Sequence, residues 1–134
     1  MKEFIQNIID LYPLYIRKIA LYERHLEMRY NSDMVDELAM LQLKVNTIES
    51  WFILLTPDER FAFRQVLNNH QDVPPAQRAA AILWTWSMSQ AGETLWSLHE
   101  HAFEKIVAFA QAHTEVVYSI FSDIQEKMNK NASV

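Results

Sequence analysis

Apolar side chains recur three and four residues apart along most of this chain, the period of a helix that buries one face. Phe4, Ile8, Leu11 and Tyr15 form one such series, and Ile19, Tyr22, Leu26 and Tyr30 continue it, so a helical segment is expected over about 2–30. Pro13 lies inside that segment. Proline has no backbone donor and its ring clashes with the preceding turn, so a kink or break is expected there. Asn31, Ser32 and Asp33 then supply a stop followed by a cap. Val35, Leu38, Leu41, Val45, Ile48 and Phe52 make a second stripe over about 33–55. The short connection between the two stripes predicts an antiparallel pair.

The strongest boundary follows. Thr56 can cap a helix, Pro57 fits its first turn and Glu59 completes a capping box. A short third helix is expected over about 57–68, then a polar loop from Asn68 to Asp72. Pro74 and Pro75 open a fourth helix running to about 86, and 87–90 make a turn. No proline interrupts what comes next, so a last helix is expected from about 90 to about 128, with Leu95, Leu98, Ala102, Ile106, Phe109, Val117, Ile120 and Ile124 near one face. A helix of that length outruns its neighbours, and its far half, 107–124, is expected to pair with another copy, giving a homodimer through the C-terminal helix. The predicted fold is all-α within a single domain spanning 1–134. It comprises an N-terminal helical hairpin (1–55), a three-helix, helix-turn-helix-like module (56–106) and an extended C-terminal helix and tail (107–134).

Composition supports that reading. The chain of 134 residues is 50% hydrophobic and 22% charged, with a single glycine, Gly92. Sheet proteins depend on many glycine-bearing turns, so this poverty favours helices joined by few connections. There is no cysteine, which excludes disulfides and thiolate metal sites and fits a cytoplasmic protein. Glu3 and Asp10 interrupt what would be the apolar part of a secretory signal. The longest uncharged run, 79–92, is shorter than the roughly 18 residues of a membrane span, so no membrane role is expected. The net charge is −5, and only residues 1–30 are slightly basic, through Lys2, Arg17, Lys18, Arg24 and Arg29. An acidic chain needs a local basic patch to hold a phosphate backbone.

The order of the pieces resembles that of small phage-encoded regulators of late transcription, of the autolysin-regulatory-protein (ArpU) and RinA types, which carry a module like the promoter-reading region 4 of sigma factors. Three stretches carry the resemblance: DELAMLQLKVNTIESWFILLTPDERFAFRQVL, PPAQRAAAILWTWSMS and ETLWSLHEHAFEKIVAFA. Together they cover roughly the C-terminal two-thirds. The resemblance implies a regulator whose last helix, from Gln90 onward, lies against DNA or against RNA polymerase. Arg60, Arg64 and Arg78 would then contact phosphate, Ser89, Gln90, Thr94, Ser97 and His101 would reach base edges or a partner, and Lys105 would be the firm positive charge of that helix. The sequence departs from the family in two ways. Ser87 or Met88 stands where the family places a turn glycine, and Glu93, Glu100 and Glu104 occupy a helix that the family makes basic.

The same residues carry plainer readings. Arg60, Arg64 and Arg78 could be solvated or paired with Asp58, Glu59 and Asp72. The polar series from Ser89 to His101 could be a capped helix start. Trp51, Trp84, Trp86 and Trp96 read first as core, yet Trp84 and Trp86 are two apart and cannot both point inward, so an exposed tryptophan at a protein-binding surface is expected. His99 and His101 diverge on a helix for the same reason, and no metal site is expected. The pairs Glu23/Glu27 and Glu100/Glu104 lack the Glu-x-x-His partner of helical di-iron proteins. There is no glycine-rich phosphate loop and no recognisable nucleophile, so neither an enzyme nor a cofactor is expected.

Two functions stand beside each other at this point. The first is a phage- or prophage-type transcription regulator acting on DNA and/or RNA polymerase. The alternative is an acidic helical interaction or inhibitor protein that binds no nucleic acid and offers a decoy for a basic groove. A DNA binder should gather Arg17, Lys18, Arg60, Arg64 and Arg78 into one positive surface, and a decoy should set carboxylates beside an exposed tryptophan.

Overall fold

A computed structural model describes residues 1–69, 73–74, 77–85 and 90–132, with the backbone alone described for 69, 82–85, 90–93 and 132. The described residues form α-helices and no strand: α1 (Lys2–Asp10), α2 (Tyr12–Met28), α3 (Ser32–Ile53), α4 (Pro57–Asn69), α5 (Arg78–Thr85), α6 (Gln90–Ala112), α7 (Thr114–Ile120) and α8 (Ser122–Ala132). The all-α class expected from the periodicity is thus the observed one. No helix among the described residues is long and apolar enough to cross a membrane.

The chain divides into two compact units, Met1–Ser50 with Ala110–Val134, and Trp51–Phe109. In the first, α1 buries Phe4, Ile5, Ile8 and Ile9 completely or nearly so. It ends at Leu11, and α2 restarts at Tyr12 with Pro13 in its first turn, where the missing N–H has no helical partner to lose. The break expected at Pro13 is therefore a change of helix. Asn31 Oδ1 accepts the Met34 N–H at 3.1 Å and caps the start of α3. Contacts between α2 and α3 include Tyr12 Oη to Glu49 at 2.8 Å, Lys44 Nζ 5.4 Å from the Tyr15 ring centre, and the Tyr22 hydroxyl to Glu37. As the α2 number rises the α3 number falls, which is an antiparallel register.

The C-terminal segment departs from expectation. The last helix does not run unbroken to about 128. It stops at Ala112 and turns at His113 and again at Phe121, with neither glycine nor proline at either place. The turns bring Val117, Phe121 and Ile124 into the core of the first unit, where α8 packs on α1 and α7, and Phe4 meets Tyr118 at 5.1 Å between ring centres. Lys44 Nζ reaches Asp123 Oδ2 at 3.0 Å, with the lysine side chain almost wholly buried. The apolar face of 107–124 that was expected to pair with a second copy is thus used within one chain.

In the second unit, Ala62 and Val66 of α4 pack with Leu95 of α6, covered by Trp96 and Leu98. Trp51, Phe52 and Phe63 are also buried, the two phenylalanine rings tilted at 5.7 Å. This unit holds α4, α5 (Arg78–Thr85) and most of α6, which begins at Gln90.

Candidate functional site

The second unit is organised around Glu59, which is 5% exposed. The capping box expected at Thr56 is formed: Glu59 Oε1 accepts the Thr56 N–H at 2.9 Å, and the Glu59 N–H donates to Thr56 Oγ1 at 3.2 Å. The same Oε1 also receives Lys105 Nζ at 2.6 Å. A charge-assisted bond of that length, reinforced by the cap, holds the Glu59 carboxyl below its ordinary range even though burial alone would raise it. One residue thus ties the start of α4 to the middle of α6.

This pairing changes the meaning of the basic residues. Lys105, the firm positive charge of α6, neutralises Glu59. Arg60 donates from Nε to the Phe52 carbonyl at 3.1 Å and from Nη2 to the Leu55 carbonyl at 3.2 Å, closing the carbonyl end of α3. Arg78 is 3% exposed and donates from Nε to the Val73 carbonyl at 2.9 Å. Arg64 is exposed, with its guanidinium carbon 5.7 Å from the Phe52 ring centre. The two expected anchors Arg60 and Arg78 are therefore built into the fold. Both donate to backbone carbonyls, Arg60 to those that end α3 and Arg78 to that of Val73. Arg17 and Lys18 belong to the first unit, and Arg60, Arg64 and Arg78 to the second.

Thr94, Ser97 and His101 are exposed and follow one another three and four residues apart on α6, so they do share a face. Glu104 continues that face, and Glu100 is exposed beside it. Trp96 is partly buried, and its indole N–H donates to Glu100 Oε1 at 2.7 Å. From Thr94 to Glu104 the exposed ionised groups are the carboxylates Glu100 and Glu104, with Glu100 beside the tryptophan, and the partly exposed Lys105 follows them. The i, i+4 spacing of Trp96 and Glu100 is legible in the sequence. Ser89, Trp86 and the turn at 87–89 lie outside the described residues, and Gln90 and Trp84 have described backbones only.

His99 faces the interior. It stacks between Phe63, at 5.0 Å and 13°, and Trp96, at 4.8 Å and 24°, and its Nδ1 is buried with no hydrogen-bond partner. Burial, with the charge of Arg78 adding to it, pushes its pKa down to about 4, so the ring is neutral near pH 7. His99 is buried while His101 is exposed, the divergence expected of residues two apart on a helix. Among the described residues no group of three or more His, Asp or Glu is placed to hold a metal ion.

No protein-family model matches this chain, and neither a curated protein nor a solved structure matches it.

Proposed function

We propose that this protein is a helical interaction protein whose second unit binds a basic surface on another protein, and that it does not hold nucleic acid by its own charges. One observation carries this reading. Lys105, Arg60 and Arg78 are bonded to a buried carboxylate and to backbone carbonyls, while Glu100, which accepts from Trp96, and Glu104 one turn further on stay exposed. A phosphate backbone needs cations that are free to replace its counterions. A basic protein surface needs the reverse, and a partly buried tryptophan among carboxylates supplies both apolar area and charge. The test is a titration of a labelled, arginine-rich amphipathic helical peptide with the intact protein and with a Glu100→Gln/Glu104→Gln variant. Binding that the variant loses supports the reading. Equal binding by both proteins, or none by the unmodified one, contradicts it.

A second reading, a phage-type transcription regulator acting on DNA and/or RNA polymerase, is favoured by a different observation. The connection from Thr85 to Gln90 has the length of a helix-turn-helix turn, and Thr94, Ser97 and His101 share an exposed face of the helix that follows. On this reading the acidic helix meets the polymerase, a protein, more readily than it meets DNA.

A further inference from the structure

Along α2 and α3 the burial is uneven. Near their base Tyr15, Lys44, Val45 and Ile48 are buried. From 16 to 43 no residue is buried at all. The seam between the two helices in this distal part consists of Ile19, Tyr22, Leu26, Met34, Leu38 and Leu41, at helical spacing and only half covered. Further apolar side chains stand open to solvent: Leu21 at 60%, Met28 at 86%, Tyr30 at 75% and Met40 at 48%. Two helices cannot enclose a seam of this kind, whereas four can.

The charges on either side of the seam differ in sign. Distal α2 and its end carry exposed Arg17, Lys18, Arg24 and Arg29 against Glu23 and Glu27. The facing part of α3 carries exposed Asp33, Asp36 and Glu37, with no cation before Lys44. A two-fold axis across the seam would set the basic α2 of one copy on the acidic α3 of the other, twice. The opposite choice, α2 against α2, would set like charges together. We propose that two copies of this chain associate through the distal halves of α2 and α3, forming a four-helix bundle in which each α2 lies against the partner's α3. This association involves the first unit and stands independently of the surface proposed for the second.

The test is the solution mass of the full chain over a wide concentration range, by light scattering and sedimentation equilibrium. Expected is twice the monomer mass, reduced to the monomer mass in a Leu21→Glu/Met28→Glu variant whose helical circular dichroism is unchanged, since both side chains are already exposed. A charge-reversal pair tests the arrangement itself. Arg17→Glu/Arg24→Glu and Asp33→Lys/Asp36→Lys should each weaken self-association at least tenfold, and mixing the two should restore a mixed dimer. A monomer at every concentration overturns the proposal and leaves the stripe to a different protein. A dimer that survives Leu21→Glu/Met28→Glu, or no mixed dimer from the charge-reversed pair, overturns it as well.

Discussion

Lys105 Nζ donates at 2.6 Å to Glu59 Oε1, the same oxygen that accepts the Thr56 N–H. The lysine that a DNA-reading helix would aim at phosphate is instead the counter-charge of a buried cap. Lys105→Met should therefore act on stability. It leaves the Glu59 carboxylate buried with only the cap to satisfy it, which costs about 1–3 kcal/mol, tempered because the lysine side chain is 47% exposed. Urea unfolding of Lys105→Met, Glu59→Gln and the double variant measures the coupling. Additive effects would mean that the pair contributes nothing to stability.

Arg60 lies at the other side of the same helix start, bonded to two carbonyls that end α3. Arg60→Ala is expected to lower stability by about 1–3 kcal/mol, since it leaves those carbonyls without their charged donor. Arg64→Ala, whose guanidinium touches only the Phe52 ring face among the contacts described, should cost less than about 1 kcal/mol. Equal losses in thermal or urea unfolding would show that the carbonyl bonds are not what Arg60 contributes.

His99 sets a pH dependence. In the unfolded chain the imidazole takes up a proton near pH 6.5, but the folded one stays neutral until about pH 4. Between those values the unfolded state binds more protons, so stability is fully present above about pH 6.5 and is lost as pH falls towards 4. The loss is on the order of 3 kcal/mol. His99→Phe keeps a ring between Phe63 and Trp96 and should flatten the stability curve over that window. Glu59 acts lower down: its lowered pKa gives stability present above the ordinary carboxylate range and lost as pH falls through the folded value, so acid unfolding should persist in His99→Phe. An unaltered slope between pH 6.5 and 4 in His99→Phe would assign the dependence to other groups.

In the first unit, Asp123→Ala should destabilise by about 1–3 kcal/mol, because the Lys44 ammonium then sits almost wholly buried against the Tyr15 ring with its carboxylate gone. Lys44→Met/Asp123→Ala removes both charges and should recover most of that loss in the same unfolding assay. A double variant no more stable than Asp123→Ala would contradict the account.

What the sequence disclosed was local. Thr56, Pro57 and Glu59 stand at fixed offsets, and the capping box they spell is present. Pro13 separates two helices because its chemistry acts on its own turn. The breaks at His113 and Phe121 carry no such residue; they arise because Val117, Phe121 and Ile124 gain burial by folding back, which is a tertiary effect. The decisive ion pairs, Glu59 with Lys105 and Lys44 with Asp123, span 46 and 79 residues, and no spacing rule reaches so far. That is why Lys105 reads as an exposed cation from the sequence and takes a structural role in the fold. The exposed series Thr94, Ser97 and His101 was legible because it needs only the helical repeat.

We propose that Lys105, Arg60 and Arg78 of the second unit serve the fold, and that the exposed Arg64 is too little to grip nucleic acid. Fluorescence anisotropy of a labelled mixed-sequence DNA duplex, titrated with the intact protein at low salt and again at about 0.15 M, tests it most directly. The account predicts no rise in anisotropy at either salt. Binding at low salt that weakens steeply at the higher salt, and that Arg64→Ala diminishes, would contradict it.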